Sequence, residues 1–238
     1  MRILVTAGNT QTPIDRVRVI TNIFTGRTGA TIASTAFDRG HQVTLLTSHP
    51  KVLSDIPSAR HRREPEFAVL PYHTFDDLHR HMAALIPSDG FDAIVHSAAV
   101  SDYHCEGVYA VRTPFDGQTL PSLTDVSAGK VKSSFPEVWI RLIPTPKLVD
   151  KVRGEWGFRG VLVKFKLEVG VSEAELLTIA ERSRMHSSAD LMSANTLDEA
   201  GEWALVGGPE YVKVPRSELA SHLIGQVERL NSARTRSP

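Results

Sequence analysis

Short apolar runs alternate with longer segments of helical periodicity along the chain, and this alternation constrains the fold more than any other feature. The apolar runs predict strands at 2–6, 42–47, 66–71, 91–97, 160–166 and 189–193. The segments between them predict helices at 27–39, 74–86, 146–154, 171–185 and 216–231. Alternation of this kind is typical of a mostly parallel sheet covered by helices. We therefore expect a Rossmann-like, three-layer α/β fold with an open sheet.

Three segments depart from that alternation. The stretch 201–215, with Gly207 and Gly208 between two β-like runs, predicts a C-terminal hairpin. The stretch 101–134 has no clear periodicity, so we expect a long loop there that acts as a mobile arm or a dimer arm. Residues 233–238 predict a disordered polar tail. The expected organisation is one α/β domain over 1–232.

Composition narrows the classes of partner and compartment. Lys plus Arg and Asp plus Glu each number 27, so no overall field favours nucleic acid or an anionic membrane, and any anion site has to be local. The lone Cys105 cannot form an intrachain disulfide, which favours a reducing, cytoplasmic setting. No stretch approaches the roughly 20 apolar residues that span a bilayer. We expect neither a nucleic-acid nor a membrane partner.

The turn after the first predicted strand carries glycines before a predicted helix. Gly8 follows the strand, and Gly26 and Gly29 stand at the start of the helix. Glycines at a helix start allow backbone N–H groups to approach an anion, which suits a phosphate. Glycine at such a junction also serves close packing, and the sequence leaves both interpretations open.

Two common phosphate-binding patterns are absent from the sequence. A dinucleotide-binding fold has G-x-G-x-x-G directly after the first strand and an acidic residue after the second, but the second strand here runs into Thr47 and Ser48. No G-x-x-x-x-G-K-[ST] pattern occurs either. These absences argue against an NAD(P)-dependent reductase and against a P-loop enzyme.

Several motifs resemble those of phosphopantothenoylcysteine synthetases. The N-terminal signature of that family is similar to Ile3-Leu4-Val5-Thr6-Ala7-Gly8, Pro13-Ile14-Asp15, Val17-Arg18, Ile20-Thr21-Asn22 and Gly26-x-x-Gly29. Its later motifs are similar to Ala98-Ala99-Val100-Ser101-Asp102-Tyr103, Gly129-Lys130-Val131-Lys132, Pro144-Thr145-Pro146-Lys147-Leu148-Val149, Val163-Lys164-Phe165 and Ala189-Asp190-Leu191. The resemblance covers residues 1 to about 215.

The resemblance implies a phosphopantothenate-cysteine ligase of coenzyme A biosynthesis, the ligase half of the DNA/pantothenate metabolism flavoprotein. Such an enzyme activates 4'-phosphopantothenate with CTP or ATP and Mg²⁺ and joins it to cysteine, and it acts as a homodimer. By resemblance, Asn22 and Lys130 are catalytic. The implied binding residues are Gly8, Arg18, Gly26, Gly29, Ala98, Ala99, Asp102, Pro146, Lys147, Leu148, Val149 and Phe165. No side chain is assigned as a metal ligand.

The motifs also depart from the family at informative places. CTP-using bacterial members carry two lysines where this chain has Ser183 and Ser187, with Arg182, Arg184 and His186 as adjacent candidates to replace them. The family's Ser-Ser-Gly turn is Phe24-Thr25-Gly26 here. These departures leave CTP and ATP both open, and they keep a second hypothesis: a non-catalytic homologue that binds a nucleotide or metabolite.

Overall fold

The computed structural model describes residues 1–56, 66–112 and 121–236, with only the backbone of Arg236. Its strands are β1 (Arg2–Ala7), β2 (Gln11–Pro13), β3 (Val19–Thr21), β4 (Gln42–Thr47), β5 (Phe67–Pro71), β6 (Ala93–His96), β7 (Tyr103–Val111), β8 (Leu123–Asp125), β9 (Val138–Pro144), β10 (Val161–Glu168), β11 (Leu191–Thr196), β12 (Trp203–Gly207) and β13 (Tyr211–Pro215). Its α-helices are α1 (Arg27–Asp38), α2 (Phe75–Ser88), α3 (Leu148–Lys151), α4 (Glu173–His186) and α5 (Leu219–Arg236). No helix within these ranges is both long enough and apolar enough to cross a bilayer.

The central sheet has eight strands in the order β13-β12-β11-β10-β6-β1-β4-β5. The six strands from β11 to β5 pair in parallel, and β12 and β13 add an antiparallel hairpin at one edge. The predicted Rossmann-like, mostly parallel sheet and the C-terminal hairpin are therefore confirmed.

Continuous apolar runs form the central strands because helices cover both faces of the sheet. In β1, Ile3 and Val5 pack on the side of α1 and α5, whereas Leu4 packs on the side of α2 and α3. All three side chains are fully buried. The helix α4 covers β11 and β12 through Leu176 and Ala180.

Side-chain caps fix where the long helices on one face begin. Thr74 and Asp77 form a capping box at the start of α2, and Ser172 and Glu175 form one at the start of α4. In each box the hydroxyl and the carboxylate accept hydrogen bonds from backbone N–H groups that the first turn leaves without partners. The other end of α4 lies over β10, where Lys164 bonds to a backbone carbonyl of the helix.

Strand order reverses between β1 and β6. From β1 the chain adds β4 and β5 on one side, and it then returns to add β6, β10 and β11 on the other. Connections diverge at such a point and open a crevice at the carboxyl ends of the two strands, which is where ligands bind in open α/β sheets. Here that crevice follows Ala7 of β1 and His96 of β6.

Two expectations about irregular segments are wrong. The stretch 101–134 is not a loop throughout, because β7 and β8 lie in it and pair with β9 in an antiparallel three-stranded sheet. The pairing joins Tyr103 to Pro144, a separation that local periodicity cannot reveal. Residues 113–120 of that stretch lie outside the described residues. The disordered tail expected from 233 is likewise corrected, since α5 continues to Arg236; residues 237–238 are not among those described.

Candidate active site at the carboxyl edge of the sheet

A cavity of about 920 Å³ occupies the crevice at the carboxyl edge of the sheet. Four separate sequence segments supply predicted site residues to its wall. These residues are Gly8, Asn22, Gly26, Gly29, Ala98, Ala99, Asp102, Lys147, Val149 and Phe165. The motifs that were predicted to act together therefore meet in one place.

The two glycines before α1 are required by close packing. Gly26 has φ +82°, and a Cβ on it would lie 2.2 Å from the backbone nitrogen of Gly8. A Cβ on Gly29 would lie 2.4 Å from Oγ of Ser97. Any side chain at either position would push α1 away from the strand ends. The packing interpretation thus applies to both glycines, and it brings the first turn of α1 to the cavity wall.

Asn22 is held at the cavity wall by its own side chain. Its Nδ2 donates to the carbonyl oxygen of Ala99 at 3.0 Å. Its backbone carbonyl accepts a hydrogen bond from Nδ2 of Asn9. A carboxamide has two N–H donors, so one remains for a group inside the cavity.

Asp102 and Lys147 form an ion pair at the rim, in which the Lys147 ammonium donates to Oδ1 of Asp102. Each side chain is 60% exposed. Ion pairs this exposed contribute at most about 1 kcal/mol to stability. Both groups are therefore free to exchange their mutual contact for a ligand at little cost in stability.

Two predicted residues lie apart from the main cavity, beside α3. Leu148 is 1% exposed and belongs to the apolar core under α2 and α3. Pro146 lines a side pocket of about 130 Å³ that adjoins the cavity through Lys147, Val149 and Phe165. The helix itself is shorter than expected, since α3 begins at Leu148 after Lys147 and Pro146 precedes it.

Arg18 and Lys130 are also outside the cavity wall. Arg18 pairs with Asp15 and donates from Nη2 to the carbonyl oxygen of Val131 at 2.8 Å. The backbone N–H of Val131 donates to Oδ2 of Asp15 at 3.1 Å, and that of Arg16 donates to the Gly129 carbonyl at 3.0 Å. These bonds fasten both neighbours of Lys130 to the β2–β3 hairpin, and they leave Lys130 exposed.

The Asp15 carboxylate is the centre of this attachment. The Arg18 guanidinium, followed by the backbone N–H groups of Val17, Val131 and Arg18, holds the pKa of Asp15 well below its usual range. A carboxylate that accepts several N–H bonds stays ionised because each bond favours its charged form. The role of Arg18 seen in this structure is therefore to position the arm, that is, β7, β8, β9 and the connection between β8 and β9 that carries Lys130.

Lys164 is a cavity residue that the motif comparison did not assign. It precedes Phe165 on β10, and its ammonium donates to the Ser183 carbonyl at 3.1 Å and to the Ser187 hydroxyl at 3.2 Å. These are the two serines that, by the sequence resemblance, take the place of helix lysines. Burial lowers the pKa of Lys164; Asp150 opposes the shift, and Lys147 and Lys166 add to it.

Opposite Lys164 in the strand register lies His96, which is buried. Its Nδ1 lies 2.9 Å from the Thr6 hydroxyl. Burial, reinforced by the positive charge of Lys164, lowers the pKa of His96 from 6.5 to about 4. The imidazole is therefore neutral near pH 7.

Cationic side chains outnumber carboxylates around the cavity. Lysines and arginines at the wall are Arg27, Lys147, Lys164, Lys166, Arg182 and Arg216, whereas the carboxylates are Asp102, Asp150 and Glu168. The whole chain has a formal net charge of zero. The positive excess is thus local, and it favours an anionic ligand in the cavity.

Arg216 is another wall residue that the sequence motifs did not indicate. It follows β13, and Nη2 donates to the hydroxyl of Thr28 in the first turn of α1. Burial lowers the pKa of Arg216. Nothing local marks this arginine, because its place depends on the return of the C-terminal hairpin to α1.

Comparisons with known proteins agree with the motifs. Residues 1–114 match the family described as the DNA/pantothenate metabolism flavoprotein C-terminal domain. The coenzyme A biosynthesis bifunctional protein CoaBC of Thermococcus kodakarensis is 34% identical over 236 residues, which is 96% of this chain and 51% of that protein. The CoaBC protein of Mycobacterium tuberculosis is 26% identical over 203 residues, covering 83% and 42%. The chain therefore spans about half the length of these relatives, or less.

Solved structures agree on the fold. The DNA/pantothenate metabolism flavoprotein from Streptococcus pneumoniae superposes with a TM-score of 0.76 at 26% identity, covering 96% of this chain and 99% of that one. A Cab2 variant in complex with phosphopantothenate-cysteine gives a TM-score of 0.74 at 18% identity, covering 98% and 88%. At that identity the second likeness concerns the fold alone.

Proposed function

We propose that this chain belongs to the family of the DNA/pantothenate metabolism flavoprotein C-terminal domain, which its residues 1–114 match, and that it is a phosphopantothenate-cysteine ligase. The observation that carries the proposal is that Asn22, Asp102 and Phe165 line one cationic cavity together with the glycines at the start of α1. The proposed substrates are 4'-phosphopantothenate, cysteine and either CTP or ATP.

The reaction has two steps. A carboxylate oxygen of phosphopantothenate attacks the α-phosphorus of the nucleotide, and the bond to the leaving pyrophosphate breaks. The cysteine amine then attacks the acyl carbon, releases the nucleoside monophosphate and loses a proton. A carboxylate does not react with an amine until its oxygen becomes part of a good leaving group, which is why a nucleotide is required.

Asn22 is the proposed electrophilic group of the second step. Its bond to the Ala99 carbonyl fixes the amide plane and leaves an N–H for the acyl oxygen. A donor that is already oriented stabilises negative charge that develops on that oxygen without reorganising. The proposed role of Asn22 is therefore to hold the acyl-nucleotide while cysteine attacks.

The phosphates are proposed to bind where positive potential faces the cavity. The backbone N–H groups in the first turn of α1, next to Gly26 and Gly29, suit a phosphate monoester. The guanidinium of Arg216, which lines the same cavity, adds a positive charge. Asp102 and Phe165 would lie against the nucleotide. These assignments place the two anionic substrates in one cavity.

Mg²⁺ is proposed to accompany the nucleotide. Within the described residues there is no group of three or more His, Cys, Asp or Glu side chains that could hold a metal by itself. Mg²⁺ is commonly bound by one or two carboxylates plus substrate phosphates, and the cavity offers Asp150 and Glu168 for that purpose. When bound, the ion would neutralise charge on the phosphates.

Lys130 is proposed to act in the cavity of a second copy. It is exposed on an arm that its own chain fastens outside the cavity. The three-stranded sheet of that arm also exposes large apolar side chains, namely Tyr103, Leu123, Val138, Trp139 and Leu142. We propose a homodimer that covers some of these side chains and brings Lys130 to the partner's substrates.

Pyrophosphate release tests the proposed function. Purified protein with Mg²⁺, phosphopantothenate, cysteine and CTP or ATP is expected to release pyrophosphate and to form the amide product, with one nucleotide preferred. Nucleotide binding by calorimetry without pyrophosphate release would instead establish the second hypothesis, a non-catalytic homologue. Ser183 and Ser187 are the reason for that hypothesis. Absence of both binding and turnover would contradict both hypotheses.

A further inference from the structure

Lys164 is a half-buried cation without a carboxylate partner. No carboxylate oxygen among residues 1–56, 66–112 and 121–235 lies within 4.0 Å of its ammonium, which bonds only to the Ser183 carbonyl and the Ser187 hydroxyl. An ammonium has three N–H donors, so a third remains for the cavity that Lys164 lines. A cation held partly away from water with no carboxylate in direct contact is costly, and a ligand that supplies the opposite charge at contact distance lowers that cost.

Arg182 adds a second unpaired charge to the same wall. It immediately precedes Ser183 in α4, lines the cavity, and has no carboxylate partner in the parts of the chain that are described. The neighbouring lysines differ, because Lys147 pairs with Asp102 and Lys166 pairs with Glu168. The β10–α4 wall thus presents the half-buried Lys164 and the exposed Arg182, neither of which has a described carboxylate within 4.0 Å, although Asp150 is near enough to raise the pKa of Lys164.

We propose that Lys164, assisted by Arg182, binds the phosphate chain of the nucleotide at the β10–α4 wall. The proposal rests on the proposed ligase function, and it assigns the nucleotide's phosphates to Lys164 and Arg182 and leaves Arg216 and α1 for the phosphate of phosphopantothenate. A lysine ammonium is a point charge that can contact several phosphate oxygens, and two such cations suit a polyphosphate better than a single carboxylate. The two serines orient the ammonium through their oxygen atoms.

A purely structural role gives a different expectation. Ser183 lies in the last turn of α4, where a cation stabilises the helix by bonding to free carbonyl groups. In that case replacing Lys164 would lower thermal stability without changing phosphate binding. Experiments on the proposal therefore have to read ligand binding directly.

Chemical labelling of the unaltered protein provides the first test. Inorganic tripolyphosphate is the probe, and lysine acetylation by acetic anhydride is read by peptide mass spectrometry. Tripolyphosphate is expected to slow acetylation of Lys164 at least about fivefold. Lys213, which pairs with Glu173 and lies over the ring of Trp203, is the internal control and should not change. Equal rates at Lys164 with and without the probe would overturn the proposal.

Substitution provides the second test. Lys164→Met is expected to weaken tripolyphosphate binding by calorimetry about 10-fold to 100-fold, and Lys164→Arg by much less, because a charge-assisted hydrogen bond is lost only in the first. Lys213→Met is the matched control. An unchanged dissociation constant in Lys164→Met would refute the subsite. Calorimetry with tripolyphosphate needs no turnover, so failure of the ligase assay and failure of this subsite give separate results.

Discussion

Asn22 shows how a single side chain can be assigned to one chemical step. Its amide is fixed by Ala99 and is proposed to contact the acyl oxygen only after the nucleotide has reacted. Removal of one pre-oriented donor of this kind slows a reaction by about 100-fold to 1,000-fold. The loss should therefore fall on amide formation and not on activation of the carboxylate.

Asn22→Ala is accordingly expected to release pyrophosphate in its first turnover within about threefold of the normal rate while amide formation falls about 100-fold. The two products are measured in the same quenched-flow samples, by a coupled pyrophosphate assay and by mass spectrometry. Asn231→Ala on α5, away from the cavity wall, is the control. If both steps slowed equally, the assigned role would be wrong.

His96 makes stability depend on pH. The imidazole is held neutral in the folded protein, with a pKa of about 4 against 6.5 for the free group. As pH falls below 6.5 the unfolded chain takes up a proton that the folded chain does not, so the free energy of unfolding decreases. The loss begins near pH 6.5 and is complete near pH 4, where the folded protein also binds the proton.

The free energy of unfolding is expected to decrease by about 1.5 kcal/mol through His96 between pH 6.5 and pH 5. Urea titrations at several pH values measure it. His96→Asn keeps a polar side chain beside Thr6 but does not titrate. Its free energy of unfolding should therefore decrease by about 1.5 kcal/mol less over the same pH range. His104→Asn, at an exposed position on β7, is the comparison. Equal slopes for His96→Asn and the unaltered protein would contradict this account of His96.

Residue positions could be predicted from sequence where the chemistry lies in a local motif. Asn22, Gly26 and Phe165 belong to such motifs, and the structure brings them to one cavity. Lys164 had a local signal that was not used, since a lysine directly after the buried apolar run Val161-Leu162-Val163 of a central strand is unusual. Arg216 had none, because only tertiary contact with Thr28 brings it to the cavity.

Among the elements, the arm formed by β7, β8 and β9 depends on its attachment to the β2–β3 hairpin. Asp15 accepts backbone hydrogen bonds from Val17 at 2.9 Å, Arg18 at 2.8 Å and Val131 at 3.1 Å. The Asp15 side chain thus joins the hairpin's own turn to the segment that carries Lys130. Loss of this carboxylate should loosen the arm and leave the central sheet unaffected.

Asp15→Asn is expected to speed amide hydrogen exchange at Val131 about tenfold, because the amide side chain loses the charge that strengthens these bonds. Hydrogen exchange with mass spectrometry measures this effect, and peptides from β1 should be unchanged. Asp125→Asn is the matched control, because Asp125 bonds to Ser127 within the arm itself. Unchanged exchange at Val131 would show that Asp15 does not hold the arm.

Element prediction succeeded for the central sheet and failed for the arm, for one physical reason. Strands covered on both faces leave apolar runs that can be recognised in isolation, as in Ile3-Leu4-Val5. The arm strands are partly exposed and pair across about 40 residues, from Tyr103 to Pro144, so neither periodicity nor adjacency reveals them. The hairpin strand β3 is exposed along its length and was missed for the same reason.

At the scale of the whole molecule, the arm bears on how two copies of the chain are proposed to form a dimer. If Lys130 serves the cavity of a second copy, each catalytic site combines Asn22 of one chain with Lys130 of the other. A dimer formed from one Asn22→Ala chain and one Lys130→Ala chain then contains one unaltered site and one doubly altered site. Sharing of sites can therefore be read from activity.

Co-expressed Asn22→Ala and Lys130→Ala chains that mix randomly are expected to recover about a quarter of normal activity, because half of the dimers are mixed and each has one intact site. Two differently tagged chains allow purification of the mixed dimer, and analytical ultracentrifugation measures its mass. Activity no higher than that of the separate variants would show that Lys130 and Asn22 act within one chain or that no dimer forms.

Transfer of an oxygen label tests the proposed ligase chemistry most directly. Phosphopantothenate with ¹⁸O at both carboxylate oxygens is incubated with cysteine, Mg²⁺ and the preferred nucleotide, and the products are examined by mass spectrometry. Activation as an acyl-nucleotide predicts one ¹⁸O atom in the released nucleoside monophosphate for each amide formed. Label in inorganic phosphate with release of a nucleoside diphosphate, or no labelled product, would contradict the account.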